Sequence, residues 1–210
     1  MTAVKVCGIT RAEDALAAAG CGARALGFMF YAPSPRNIAP QSAAAIVTRL
    51  PPFVTVVGVF VNPDAAWVEQ VLGRVRLDLL QFHGDETPDF CAGFGMPYVK
   101  AARVRPGDDL LEYSAAYTRA RGLLLDAYEP GVYGGTGRAF DWSLVPGKLP
   151  LPVILSGGLT PSNVGAAVRA VRPWAVDVSS GVESAKGIKD AAKVAAFIEE
   201  VRNADVRPAG

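Results

Sequence analysis

The chain has 210 residues, 50% of them hydrophobic and 20% charged, which is enough to bury a full core in one domain and excludes the disordered class. With 21 Lys and Arg against 20 Asp and Glu the net charge is +1, so no field draws the protein onto nucleic acid or an anionic membrane. Three scattered cysteines (Cys7, Cys21, Cys91) argue against a disulfide framework or zinc cluster, the lone His83 excludes a two-histidine metal site, and no apolar run reaches the roughly 18 residues of a membrane span, so a cytoplasmic chain with reduced thiols is expected.

Short apolar runs alternate with helical segments along the whole chain. Residues 3–7 read as a strand and 12–19 as a helix, followed by strand 25–30 and a helix over 40–50 opened by Ala39-Pro40. Strand 54–61 precedes a helix over 63–72 entered through Asn62-Pro63, and strand 77–82 precedes a helix over 86–94. Strand 98–101, helix 108–119 and strand 122–126 come next, and residues 140–144 leave room for about one turn of helix. Strand 152–155, a helix over 160–170 begun by Thr160-Pro161, strand 175–178 and a helix over 190–201 complete the pattern. Most of the strand runs are continuously apolar rather than alternating, as in parallel strands covered on both faces. Eight such β and α units predict a single-domain α/β protein, a (β/α)8 TIM barrel; an open doubly wound sheet is the alternative, but no G-x-G-x-x-G follows the first strand.

A barrel of this kind builds its site at the C-terminal ends of its strands. The polar residues there are Cys7, Arg36, Asn62, Gln81, His83, Arg103, Asp126, Ser156-Gly157-Gly158, and Asp177 with Ser179-Ser180-Gly181. The glycines of LSGGLTPSNV and VDVSSGVE follow the last two strands, where a backbone free of side chains approaches a phosphate at a helix start. A third glycine-rich stretch, GVYGGTGRAF, contains Gly134, Gly135 and Gly137 and reads either as a plain connection or as a loop that folds over a ligand. Asp126, after three leucines, reads as an Asx turn, an ion pair or a general acid. Cys7 reads as a packed thiol or, facing Asp126 across a closed barrel, as its partner base; helix N-termini or Arg36 are expected to favour its thiolate. Arg36, in SPRN of a loop stiffened by Pro33 and Pro35, is a surface residue or a clamp for a carboxylate, and His83 acts or only supports the turn.

KVCGIT, GFMFYAPSPRNI, VGVFVN, LLQFHGDE, LLLDAYEPGVYGGTGRAFDW, LSGGLTPSNV and VDVSSGVESAKGIKD, in that order, resemble the phosphoribosylanthranilate isomerase family of tryptophan biosynthesis. Phe82 stands where leucine is common in that family and Ser156 where alanine is. The resemblance implies a (β/α)8 barrel that carries out an Amadori rearrangement of a phosphorylated aminoaldose without a cofactor or metal. It implies Cys7 as general base, Asp126 as general acid and Arg36 as the group holding the anthranilate end. Gly157, Gly158, Ser180 and Gly181 are then the phosphate site, with His83, Gly135 and Asp177 as further substrate contacts. The rivals are the analogous aminoaldose isomerase of histidine biosynthesis, which uses two aspartates, a Schiff-base aldolase working through Lys100, and a barrel that binds phosphate ligands without turnover.

Overall fold

The apolar runs form eight parallel strands, each paired with the next in chain order and the last with the first, so the sheet closes on itself. The computed structural model describes residues 1–128 and 140–206. The strands are β1 Ala3–Cys7, β2 Ala25–Met29, β3 Thr55–Phe60, β4 Leu79–Phe82, β5 Tyr98–Val104, β6 Leu123–Ala127, β7 Val153–Leu155 and β8 Ala175–Val178. Around them lie α1 Ala12–Cys21, α2 Pro40–Val47, α3 Ala65–Leu72, α4 Pro88–Ala92, α5 Leu110–Ala116, α6 Val164–Val171 and α7 Ala191–Val206.

Strand β3 shows why the runs are apolar throughout. Its Val56 and Phe60 pack outward into the shell shared with the helices, while Val57 and Val59 face inward and form one buried cluster with Cys7. Both faces are buried, so there is no polar alternation to read. In the outer shell the Phe82 ring lies within 6.1 Å of the Phe60 and Tyr98 rings and 5.9 Å of Phe94. The residue that departs from the usual leucine therefore fills space under α4, on the outer side of the sheet.

Local chemistry sets the helix ends. The Asp64 carboxylate accepts from Trp67 N–H, Thr87 from Phe90 N–H, and Asp109 from Leu111 and Glu112 N–H, so α3, α4 and α5 each start with a side-chain cap worth about 1 kcal/mol. The helix expected from Thr160-Pro161 starts later, at Val164, because Asn163 Oδ1 turns back to take the Thr160 N–H at 2.8 Å. Strand β5 runs three residues past its expected end, since Arg103 and Val104 pair in register with Asp126 and Ala127. Residues 140–144 hold one 3₁₀ turn, Trp142–Leu144, capped by Asp141. After β8 come features that periodicity does not show: a 3₁₀ turn at Ser180–Val182 and a small antiparallel pair, β9 Glu183–Ala185 with β10 Ile188–Lys189. No helix among the described residues is long and apolar enough to cross a membrane.

Candidate active site

Cys7 is the last residue of β1, and strand geometry puts Lys5 two positions below it on the same inward face. The neighbouring β2 residue in register with Cys7 is Gly27. A Cβ there would stand 2.8 Å from Cys7 Sγ and 3.0 Å from Lys5 Nζ, so this glycine is what lets thiol and ammonium share one space. On the other side β8 sets Asp177 in register with Lys5, and Lys5 Nζ bonds Asp177 Oδ1 at 2.8 Å with both side chains buried. Burial opposes the charge on Lys5, but Asp177 and the thiol outweigh it and raise its pKa. Burial likewise pushes the Cys7 thiol up, opposed chiefly by Lys5, with Asp177 raising it and Lys189 lowering it. The largest charge favouring the thiolate thus comes from a strand lysine beneath it, with Lys189 and the expected Arg36 attracting the thiolate more weakly.

Arg36 is buried and committed elsewhere. Its Nε and Nη2 donate to Glu183 Oε1 and Oε2 at 2.7 and 2.8 Å, and Lys189 Nζ bonds the same Oε1 at 2.8 Å. Burial alone would raise the Glu183 pKa, yet the two cations hold it below the ordinary value of 4.5. The pairing leaves Nη1 as the donor that Glu183 does not engage. Arg36 Cδ packs over Gly8, whose φ is +77° and whose neighbours leave no room for a Cβ, so the arginine lies directly above the end of β1.

Across the ring, three strands away, β6 delivers Asp126. Leu123, Leu124 and Leu125 are buried, and the Asp126 carboxyl emerges above them. Ala127 N–H donates to Oδ1 at 2.9 Å, and His83 Nε2 lies 3.0 Å from Oδ2. His83 Nδ1 is in turn 2.9 Å from Gln81 Nε2, two residues earlier on β4. Asp126 lines one recess together with Ser156, Gly157, Gly158, Asp177 and Ser180. Gly157 has φ +81°, a Cβ on it would meet Ala127 N at 2.7 Å, and neither its N–H nor that of Gly158 donates to an acceptor among the described residues. A Gly181 Cβ would fall on the Leu159 carbonyl, so the two glycine turns pack against each other. Ser156, where alanine is common, directs Oγ to Asp177 Oδ2 at 3.4 Å.

The structure therefore gathers Cys7, Asp126, Arg36, His83, Asp177, Gly157, Gly158, Ser180 and Gly181 at one end of the barrel, with Asp177 joining the thiol side to the carboxyl side. Gly135, with Gly134 and Gly137, lies outside the described residues. Asn62 and Arg103 serve the loops, Asn62 Oδ1 accepting from Asp85 N–H at 2.7 Å and Arg103 pairing with Asp85 at 2.7 Å. Lys100 is not at a strand end: it lies inside β5, fully buried, paired with Glu86 at 3.2 Å, bonded to Gly84 O at 2.6 Å and seated over the Tyr117 ring. That placement takes it out of the cavity and removes the aldolase reading. Lys5, Glu183 and Lys189 are the residues that strand-end reading does not reach. Lys5 carried a signal, a charged residue at an inward position of an apolar strand. A cavity of about 600 Å³ also opens at the opposite end, lined by Ala3, Ala25, Val57 and Leu79 together with Lys5 and Gln81. Barrel chemistry takes place at the C-terminal face, so that cavity is not part of this site.

The comparisons agree with the geometry. A family model described as N-(5'phosphoribosyl)anthranilate (PRA) isomerase matches residues 4–200. Proteins named N-(5'-phosphoribosyl)anthranilate isomerase from Nitrosospira multiformis and a Pseudomonas putida strain are 61% and 62% identical over 198 and 200 residues, covering 94% and 95% of this chain and 95% and 97% of theirs. The crystal structure of the Thermotoga maritima phosphoribosyl anthranilate isomerase superposes with a TM-score of 0.87 at 41% identity, covering 97% of this chain and all of the other. Another, at TM-score 0.84 and 40% identity over 97% of this chain and all of its own, is a phosphoribosyl anthranilate isomerase in complex with reduced 1-(o-carboxyphenylamino)-1-deoxyribulose 5-phosphate. Matched over nearly its whole length, this chain belongs to the N-(5'-phosphoribosyl)anthranilate isomerase family.

Proposed function

We propose that the chain converts N-(5-phosphoribosyl)anthranilate into 1-(2-carboxyphenylamino)-1-deoxyribulose 5-phosphate in tryptophan biosynthesis, with Asp126 as general acid and Cys7 as general base. The observation that carries the roles is a thiol and a carboxyl on facing strands at the same barrel end, above a recess edged by Gly157, Gly158 and Ser180. Asp126 gives a proton to the furanose ring oxygen, the C1–O bond breaks, and the anilino nitrogen lone pair forms an iminium at C1. The iminium acidifies the C2 proton, which the Cys7 thiolate takes, and the resulting enolamine tautomerises to the C2 ketone. Protons given and taken balance, so the rearrangement consumes no redox equivalent.

The recess receives the phosphate on the Gly157 and Gly158 N–H groups and the turn at Ser180 and Gly181. Arg36 offers Nη1 to the anthranilate carboxylate while Glu183 holds the rest of the guanidinium flat. Asp177, lining the same recess, faces the sugar hydroxyls, and His83 reaches the sugar alongside Asp126. Three free cysteines and a balanced surface charge suit a reducing cytoplasm.

The test is steady-state kinetics of Cys7→Ser and Asp126→Asn. Each should lose about 10² to 10⁴ in kcat with a small change in KM. Near-normal turnover in either variant removes that residue from the mechanism, and faster turnover of the histidine-pathway aminoaldose than of the anthranilate substrate replaces the reading altogether.

A further inference from the structure

Gln81 is a residue whose presence packing does not explain. It sits within β4, between Leu80 and Phe82, and its side chain points into the barrel, 1% exposed. Its amide oxygen has no hydrogen-bond partner among the described residues. A buried amide with a stranded oxygen is less stable than an apolar side chain of the same shape. Among the described residues the one bond its side chain makes is the 2.9 Å contact from Nε2 to His83 Nδ1.

That bond has a direction. An amide nitrogen only donates, so Nδ1 must accept, and a neutral imidazole that accepts at Nδ1 carries its proton at Nε2. Nε2–H then donates to Asp126 Oδ2 at 3.0 Å, while Ala127 N–H donates to Oδ1 at 2.9 Å. Each carboxyl oxygen thereby has its own fixed donor, and the lone pairs left over face the recess lined by Gly157, Gly158 and Ser180. With the proton on Nδ1 instead, a bare Nε2 would face Oδ2 and draw the acid proton of Asp126 to itself, away from the recess.

We infer that Gln81 is a positioning residue: by donating to Nδ1 it holds His83 in the Nε2–H tautomer, and through His83 it keeps the Asp126 carboxyl aimed at the substrate's ring oxygen. The inference rests on the proposed role of Asp126, but its first test does not. His83 is the only histidine in the chain, so protein labelled with 15N-histidine gives a single imidazole to observe.

At neutral to mildly alkaline pH the wild-type ring should show a protonated Nε2 and an unprotonated Nδ1. Gln81→Met keeps the length and loses the donor, so the proton should spread over both nitrogens while kcat falls about tenfold and KM stays within about twofold, the scale of one hydrogen bond. Gln81→Glu presents an acceptor and should draw the proton to Nδ1. A wild-type ring protonated at Nδ1 overturns the inference without any variant having to fold. So does a Gln81→Met protein with unchanged ring signals, whatever its kcat, and so does a shifted tautomer with unchanged kcat. A wild-type protein that fails to turn over phosphoribosylanthranilate ends the isomerase reading instead, while the ring signals still report whether the tautomer is held.

Discussion

Removing the charge of Lys5 should be the most direct way to disarm Cys7 without touching it. Cys7 Sγ and Lys5 Nζ lie 2.8 and 3.0 Å from the point a Gly27 Cβ would occupy, which puts them no more than about 6 Å apart. At that distance and an effective dielectric constant near 20, a full charge pair is worth about 3 kcal/mol, or about two pKa units. Lys5→Met should therefore lift the thiol, already raised by burial, by about that much or more. Lys5→Met alone also strands the buried Asp177 carboxylate, so the double variant Lys5→Met/Asp177→Asn is the fairer comparison for stability. Asp177→Asn by itself should move the thiol the opposite way, because it removes an anion and frees the lysine for the sulfur. The assay is the pH dependence of iodoacetamide inactivation in a Cys21→Ser background. Cys91 is fully buried, with its thiol pushed up to about 12, and will not compete. The expected order of apparent pKa is Asp177→Asn below wild type, the double variant above it and Lys5→Met highest. An unmoved profile in Lys5→Met, or a larger shift in Arg36→Met, would refute the assignment of Lys5.

Two further predictions concern the rim. Glu183 has a folded pKa below 4.5, so its contribution to stability is complete above about that pH and is lost as pH falls through the depressed folded value. Glu183→Gln should cost about 2 to 3 kcal/mol at pH 7, somewhat less than a fully dry pair because the rim admits water, and should flatten the acid limb of a Tm-versus-pH curve; an unchanged acid limb would place the acid sensitivity elsewhere. Gly157→Ala, which forces a Cβ toward Ala127 N at a φ of +81°, should raise KM about tenfold and weaken competitive inhibition by inorganic phosphate in step, while leaving the Cys7 alkylation profile unchanged. Phosphate inhibition that survives the substitution would move the anion site away from this turn.

The barrel was legible because parallel strands covered on both faces need uninterrupted apolar runs, and β2 and β3 show them plainly. Arg103 made β5 look short, since an arginine at an inward position reads as the end of a strand until the pairing with Asp126 is seen. Cys7 and Asp126 stood out as candidates because a strand end is a place the sequence marks. Glu183 was not, although it lies in a quoted motif. The hairpin that carries it is recognisable only by Lys186-Gly187, and its function depends on Arg36, 147 positions earlier. A contact of that range leaves no trace in local periodicity. The same holds for the start of α6, where Asn163 rather than Thr160 governs the turn.

Lys5 and Gln81 point to one building rule. Lys5-Val6-Cys7 and Gln81-Phe82-His83 have the same form: a polar residue, an outward apolar residue, and a second polar residue at the strand end. The two-residue period puts the first polar side chain directly beneath the second, so in β1 an ammonium sits under the thiol and in β4 an amide sits under the imidazole. Each lower residue carries a cost, the desolvation of Lys5 and the stranded oxygen of Gln81, that an apolar residue would avoid. Gln81→Met should accordingly unfold at a higher temperature than wild type while turning over more slowly, a divergence that a purely structural glutamine would not produce. A variant that is both less stable and less active would mean that Gln81 supports the barrel itself, and the layered arrangement would then be a feature of packing.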